Sequence, residues 1–157
     1  DALPQGIVGT AGPTLAGVVS DDGRFIAFES AAVGLDPAVA DALIATNVVL
    51  RNPPAVGHTL AEYKQGMASF HTAFPDLHFT IEDEIAEGSK VAVRWTLQAT
   101  HLGEYQGRPP TGKTITVTGI SIFDLADGKI QDITVSMDRL GQFQQLGWLP
   151  TPAPLPK

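Results

Sequence analysis

The chain has 157 residues, 43% of them hydrophobic and 17% charged, with a formal net charge of -7 and no cysteine. That length and apolar content fit a single domain with a real core and argue against global disorder. Seventeen acids against ten scattered Lys and Arg leave no electrostatic footprint for nucleic acid or an anionic membrane, and the missing thiols exclude disulfides, thiolate metal sites and cysteine nucleophiles.

No apolar run approaches the ~18 residues of a membrane span. The first residue is Asp1, so the chain is expected to be processed or trimmed. A cytoplasmic location is expected over an exported one, although cysteine usage does not settle the compartment.

In chain order, residues 1–23 read as an extended lead-in. Residues 1–17 (DALPQGIVGTAGPTLAG) are rich in Gly and Pro and carry no clear period. Residues 24–33 (RFIAFESAAV) fit a helix through Phe25, Phe28 and Ala32, and fit a strand equally through Ile26 and Phe28. The stretch SDDGRFIAFESAA also resembles a hairpin of TolB-type propeller repeats. One hairpin cannot build a propeller, because a blade must stack on neighbours, and the helix is the expectation. Asp36-Pro37 then opens a second helix, Asp36 as cap and Pro37 at the first helical position. Val39, Leu43 and Ile44 form its apolar face and Asn47 ends it. A short strand follows over 48–50, stopped by Asn52-Pro53-Pro54.

Thr59 and Glu62 form a capping box for the next helix. Its face carries Tyr63, Met67, Phe70 and Phe74, and Phe74-Pro75 ends it. The period then changes to two. Leu77, Phe79, Ile81 and Ile85 alternate with polar residues, and Glu87-Gly88 turns into the run Val91, Val93, Trp95, Leu97. A Gly- and Pro-rich loop leads to strands 114–125 and 130–137, joined at Ala126-Asp127-Gly128. Asp138 starts a last helix through Leu140, Phe143 and Leu146, stopped by Gly147. The domain therefore spans 24–149, and 150–157 is a Pro-rich tail.

Helices followed by hairpin-linked strands predict an α+β domain. Its antiparallel sheet should curl into a cone around an apolar pocket, with the N-terminal helices on the concave face. Four pieces in order carry a resemblance: AFPDLHFTIEDEIAEGSKVAVRWTLQATHLGEYQGRPPTGK, ITVTGISIF, DGKIQD and SMDRLGQFQQLG. From about residue 35 to 149 the chain resembles the SnoaL-like polyketide and ester cyclases of the nuclear-transport-factor-two-like superfamily. The resemblance implies a cone fold, usually dimeric, and ring closure by intramolecular aldol chemistry without a cofactor. Isomerases, dehydratases, epoxide hydrolases and plain ligand binders share the superfamily, so fold alone does not choose among them.

Asp138 ends the strand ITVSMD on the face of Thr134 and Ser136. In the cyclases it resembles, the Asp at this motif position acts as general base, and a carboxylate desolvated in a pocket suits that role. The competing reading is a helix cap. Arg94, if inward, would hold a substrate oxyanion or the Asp138 carboxylate. If outward it would pair with Asp132 or Glu82. Limonene-epoxide-hydrolase relatives show Arg-x-Asp on this strand. The third position here is Thr96, which breaks that arrangement. His101 would relay a proton or polarise a carbonyl, or else bond the Gly-rich turn.

For substrate binding the expected residues are Asn52, Ser136 and Asp124, with Tyr63, Met67, Phe70, Phe74 and Trp95 as an apolar wall. Asp124 stands where some cyclases carry a histidine. His58, His71 and His78 read as surface residues with no metal-ligand spacing. Gly107, Gly112 and Lys113 do not make a phosphate loop, because Pro109 and Pro110 intervene and a strand follows. The expected ligand is a small hydrophobic carbonyl compound. The expected assembly is a homodimer. A non-catalytic binding or dimerisation module is the alternative.

Overall fold

The computed structural model describes residues 16–19, 26–29, 40–41, 43–51 and 59–151. Its elements run β1 (Ala16–Val19), β2 (Ile26–Glu29), β3 (Ile44–Arg51), α1 (Leu60–Ala73), β4 (His78–Glu87), β5 (Lys90–Thr100), β6 (Thr114–Ala126), β7 (Lys129–Met137) and α2 (Arg139–Leu146). The fold is α+β. A five-stranded sheet has the order β3-β7-β6-β5-β4, and β1 pairs with β2 in a separate two-stranded ribbon.

Two sequence expectations change. The helix over 24–33 is not formed at Ile26–Glu29, which is a strand antiparallel to β1. The period-two reading prevails because Ala16–Val19 and Ile26–Glu29 pair residue for residue, which satisfies backbone groups of both short runs. The helix over 36–47 also stops early. Residues 40, 41 and 43 are helical, but Ile44–Asn47 belong to β3. Ile44, Ala45, Val48 and Leu50 are buried there, with β-branched residues favouring the pleated state. β3 runs parallel to β7, so the sheet is mixed; β4 to β7 pair antiparallel throughout.

The long hairpins form as their alternation dictates. Asp127 and Gly128 take positive φ (53° and 74°) in the β6–β7 turn, as does Gly88 (59°) in β4–β5. The buried sheet face carries Val91, Val93, Trp95 and Leu97 from β5, with Ile115, Val117, Phe123 and Leu125 from β6. Leu60, Ala73, Phe74 and Leu146 of the helical segments join them in one core. Each fully buried Leu, Val or Phe contributes roughly 1.5–3 kcal/mol relative to exposure.

The opposite face looks to solvent. Across it run Asp83–Arg94–Ile120–Ser136 and, one step along, Ile85–Ala92–Ile122–Thr134. A bulge between Ile81 and Asp83 shifts the strand's parity. It moves Ile85 from the core set, where alternation alone puts it, to 68% exposure on the outer face.

β6 extends beyond the end of β7, and its free backbone groups are taken by α2. Asp138 N–H donates to Thr118 O at 3.0 Å. The Gln145 amide then pairs with both groups of Thr116, accepting from its N–H at 2.7 Å and donating to its carbonyl at 2.9 Å. This side chain substitutes for a neighbouring strand and satisfies groups that would otherwise be orphaned.

Candidate functional site

An open depression of about 380 Å³ lies on the outer sheet face, lined by Arg94, Thr118, Gly119, Ile120, Ser136, Met137 and Asp138. Three residues singled out from sequence, Asp138, Arg94 and Ser136, therefore meet. The sheet pairing explains why. Arg94 faces Ile120, and Ile120 faces Ser136 across neighbouring strands. Asp138 follows two residues after Ser136, beside Thr118.

Asp138 is the N-cap of α2. Its Oδ1 accepts from Gly141 N–H at 2.8 Å. The residue is thus a helix cap that also lines the depression. Gly141 is required by the packing: an added Cβ would lie 2.1 Å from Asp138 Oδ2 and 3.1 Å from Oδ1. Among the described residues, that backbone N–H is the carboxylate's one hydrogen-bond donor.

Arg94 points outward, into the solvent-facing depression and away from the core. Its Nε donates to Asp83 Oδ2 at 2.7 Å and its Nη2 bonds the same oxygen. The partner is Asp83 on β4, not Asp132 or Glu82. Asp132 instead takes Arg51 Nε at 2.7 Å, and Glu82 accepts from Thr96 Oγ1 at 2.7 Å. Both partners of the Arg94 pair are at least half exposed (50% and 62%), so the pair adds about 0–1 kcal/mol to stability. Nη1 has no partner among the described residues, which leaves a donor edge for a ligand.

The expected apolar wall is not part of this depression. Trp95 lies on the buried face, donating Nε1–H to Ser121 Oγ at 3.0 Å. Its ring covers Gly119, where a Cβ would meet Cζ2 at 2.4 Å. Phe74 is fully buried, and the Phe70 ring lies 4.8 Å from it, tilted by 40°. Tyr63 and Met67 are half-buried on α1. Trp95 and Phe74 belong to the core and Tyr63 and Phe70 pack against it, because the strongly apolar alternates of β5 and β6 turn inward toward them. The depression's own apolar surface comes from Ile120 and Met137.

Asp124 is also displaced from its expected role. It sits at the far end of β6, where Ser89 Oγ donates to its Oδ1 at 2.8 Å and Lys90 Nζ pairs with its Oδ2. These hydrogen bonds, Lys90 first, hold its carboxyl below the usual range. Asp124 thus fastens the β4–β5 turn to β6. Asn52 lies outside the described residues.

His101 is fully buried and does not line the depression. Its Nδ1 accepts from Thr111 N–H at 3.1 Å, so the turn-bonding reading of the sequence applies. The ring packs among Phe74, Tyr105 and Trp148, with centroids 5.2, 6.3 and 5.7 Å away. Burial pushes the His101 pKa below its ordinary value and the Tyr105 pKa above.

Sequence reasoning missed Thr118, which lines the depression, and Gly141, which makes room for the carboxylate. Strand parity carried the first signal, since Thr118 shares the face of Ile120 and lies beside the strand of Ser136. The spacing Asp138-x-x-Gly141 carried the second. Ser121 was also missed, the polar residue in the inward set of β6.

The curved five-stranded sheet with its two helices is an α+β fold of the nuclear-transport-factor-two-like type. The SnoaL-like polyketide cyclase family matches residues 27–146, and the chain belongs to that family. Among curated relatives, the aklanonic acid methyl ester cyclase DauD of Streptomyces sp. (strain C5) is 29% identical over 119 residues, 66% of this chain and 73% of DauD. The cyclase DnrD of Streptomyces peucetius is 31% identical over 111 residues, 64% of this chain and 74% of DnrD. The solved structure of TsrD from Streptomyces laurentii superposes with a TM-score of 0.66 at 29% identity, covering 73% of this chain and 84% of TsrD. Among the described residues, no helix is long and apolar enough to cross a membrane.

Proposed function

We propose that this chain is a cofactor-independent acid/base enzyme acting on a small hydrophobic carbonyl compound, by aldol-type ring closure. The observation that carries this reading is the placement of the Asp138 carboxylate and the Arg94 guanidinium on one depression. Two relatives named as methyl ester cyclases support the reaction class.

Asp138 takes the proton from a carbon next to a carbonyl. The C–H electron pair moves into the enolate, whose oxygen accepts a hydrogen bond from Arg94 Nη1 or from the Thr118 or Ser136 hydroxyl. The enolate carbon attacks a second carbonyl of the same molecule and closes a C–C bond as that carbonyl's π pair moves to oxygen, and the new alkoxide takes the proton back from the Asp138 carboxyl, which restores the base. Isomerisation or dehydration uses the same first step. Holding Asp138 at a helix N-cap fixes its position, and a positioned base contributes about 10²–10⁴-fold. Turnover of an enolisable keto ester by Asp138→Asn tests the assignment: retained full activity overturns it.

A second reading has its own observation. Ile85, Ile120 and Ile122 are 68%, 46% and 41% exposed on the same outer face, and a homodimer pairing these faces would cover them. The two readings compete for one surface. Sedimentation of the chain with and without Ile122→Lys, beside a turnover assay of each, separates them: a dimer dissolved by that change, with no turnover in either form, favours the binding or dimerisation module.

A further inference from the structure

The loop between β5 and β6 is closed around His101. Its N–H donates to Lys113 O at 2.9 Å, and its carbonyl accepts from Gly112 N–H at 2.9 Å. Its ring nitrogen Nδ1 accepts from Thr111 N–H at 3.1 Å, with the Thr111 hydroxyl also at 3.1 Å. The start of the loop is held to α1, since Leu102 and Gly103 N–H groups both donate to Ala73 O at 2.9 and 3.0 Å.

A backbone N–H can donate only to an unprotonated nitrogen. The ring is therefore neutral, with its proton on Nε2. That Nε2 is buried and has no hydrogen-bond partner. A second proton on Nδ1 would oppose the Thr111 N–H and leave a charge in a site with no solvent.

The surroundings give that charge little compensation. From the end of α1 come Phe74 and Asp76, whose Oδ1 is engaged by Thr100 N–H at 2.6 Å. The loop contributes Tyr105, Arg108, whose Cζ lies 4.9 Å above the Trp148 ring, and Lys113, whose Nζ lies against Gly147. The α2 side contributes Trp148 and Arg139, which acts on Tyr105. The loop's own acid, Glu104, is exposed; burial is the main cause that disfavours the charged ring, and the Gly103 backbone partly offsets it.

We propose that His101 is an acid-sensitive latch: it locks the loop 101–113 when neutral and releases it on protonation, uncovering Phe74 and Trp148. In the released loop the ring has its ordinary pKa of about 6.5; in the closed loop it is harder to protonate. Closure is thus fully favoured above about pH 6.5. It weakens as pH falls, by up to about tenfold per pH unit.

The test is NMR on the full chain. Nitrogen-15 shifts of His101 should report Nδ1 unprotonated at pH 7.5, and the protection factors of Thr111 and Gly112 should fall through pH 6.5 to 5. His101→Asn puts an amide oxygen where Nδ1 sits and does not titrate, so these amides should keep their protection to lower pH. A protonated Nδ1 at pH 7.5, wild-type protection constant over that range, or the same acid loss in a folded His101→Asn would each overturn the latch. The nitrogen-15 measurement needs no variant and stands if His101→Asn does not fold.

Discussion

One pair of substitutions separates the helix cap at Asp138 from its proposed role as base. Asn caps a helix as well as Asp does, so Asp138→Asn retains an acceptor for Gly141 N–H. It removes a charge near the helix N-terminus, worth about 0.3–1 kcal/mol at an exposed site. Asp138→Ala removes the cap itself, at about 0.5–2 kcal/mol. For a chain of this length each 1 kcal/mol moves Tm by about 2–4 °C. The proposed base role instead predicts that both variants lose turnover equally, by about 10²–10⁴-fold. Thermal scans and single-turnover assays on an enolisable keto ester measure the two effects independently. The expected pattern is Asn near wild type in Tm but inactive, and Ala lower in Tm and equally inactive. An active Asn variant, or activity that tracks Tm across the pair, would refute the reasoning and leave Asp138 a cap alone.

Gly141→Ala should lower both activity and Tm, although Ala is the better helix former by about 1 kcal/mol, because its Cβ would displace the Asp138 carboxylate; an activity and melting comparison checks it. Gly119→Ala should overpack Trp95 and cost about 1–3 kcal/mol, read as a lower urea midpoint with altered Trp fluorescence. The Asp124 carboxyl is held below its ordinary value by Lys90 and Ser89, so its contribution is present above the unfolded pKa of about 3.9 and is lost as pH falls. Lys90→Met should therefore raise the midpoint of acid unfolding while leaving turnover at pH 7 unchanged.

Much of the fold was legible because local rules and global packing agree along residues 59–147. The Thr59 cap, the Pro75 stop, the two hairpin turns and the Gly147 stop all require specific residue chemistry, and each forms where that chemistry stands. Over residues 24–33 two periods fitted one short apolar run, and over 36–47 the spacing pointed to a helix. There β-pairing with β1 and with β7 decided for strand. The site was legible in part. Asp138, Arg94 and Ser136 share a face by strand parity, and the structure brings them to one depression.

Which face that is could not be read from the pattern. By itself the sequence determined the elements over residues 59–147, their hairpin order and the two alternating residue sets of each strand, because these depend on local propensity and spacing. Only the tertiary structure decided that the Trp95 set lies under the helices and the Arg94 set outside. A bulge at Ile81/Asp83 reversed the parity of Ile85, and the charged partner of Arg94 turned out to be Asp83. The physical reason is that alternation specifies two faces without naming the one that is buried. That choice rests on the summed packing of distant segments, which no local window contains.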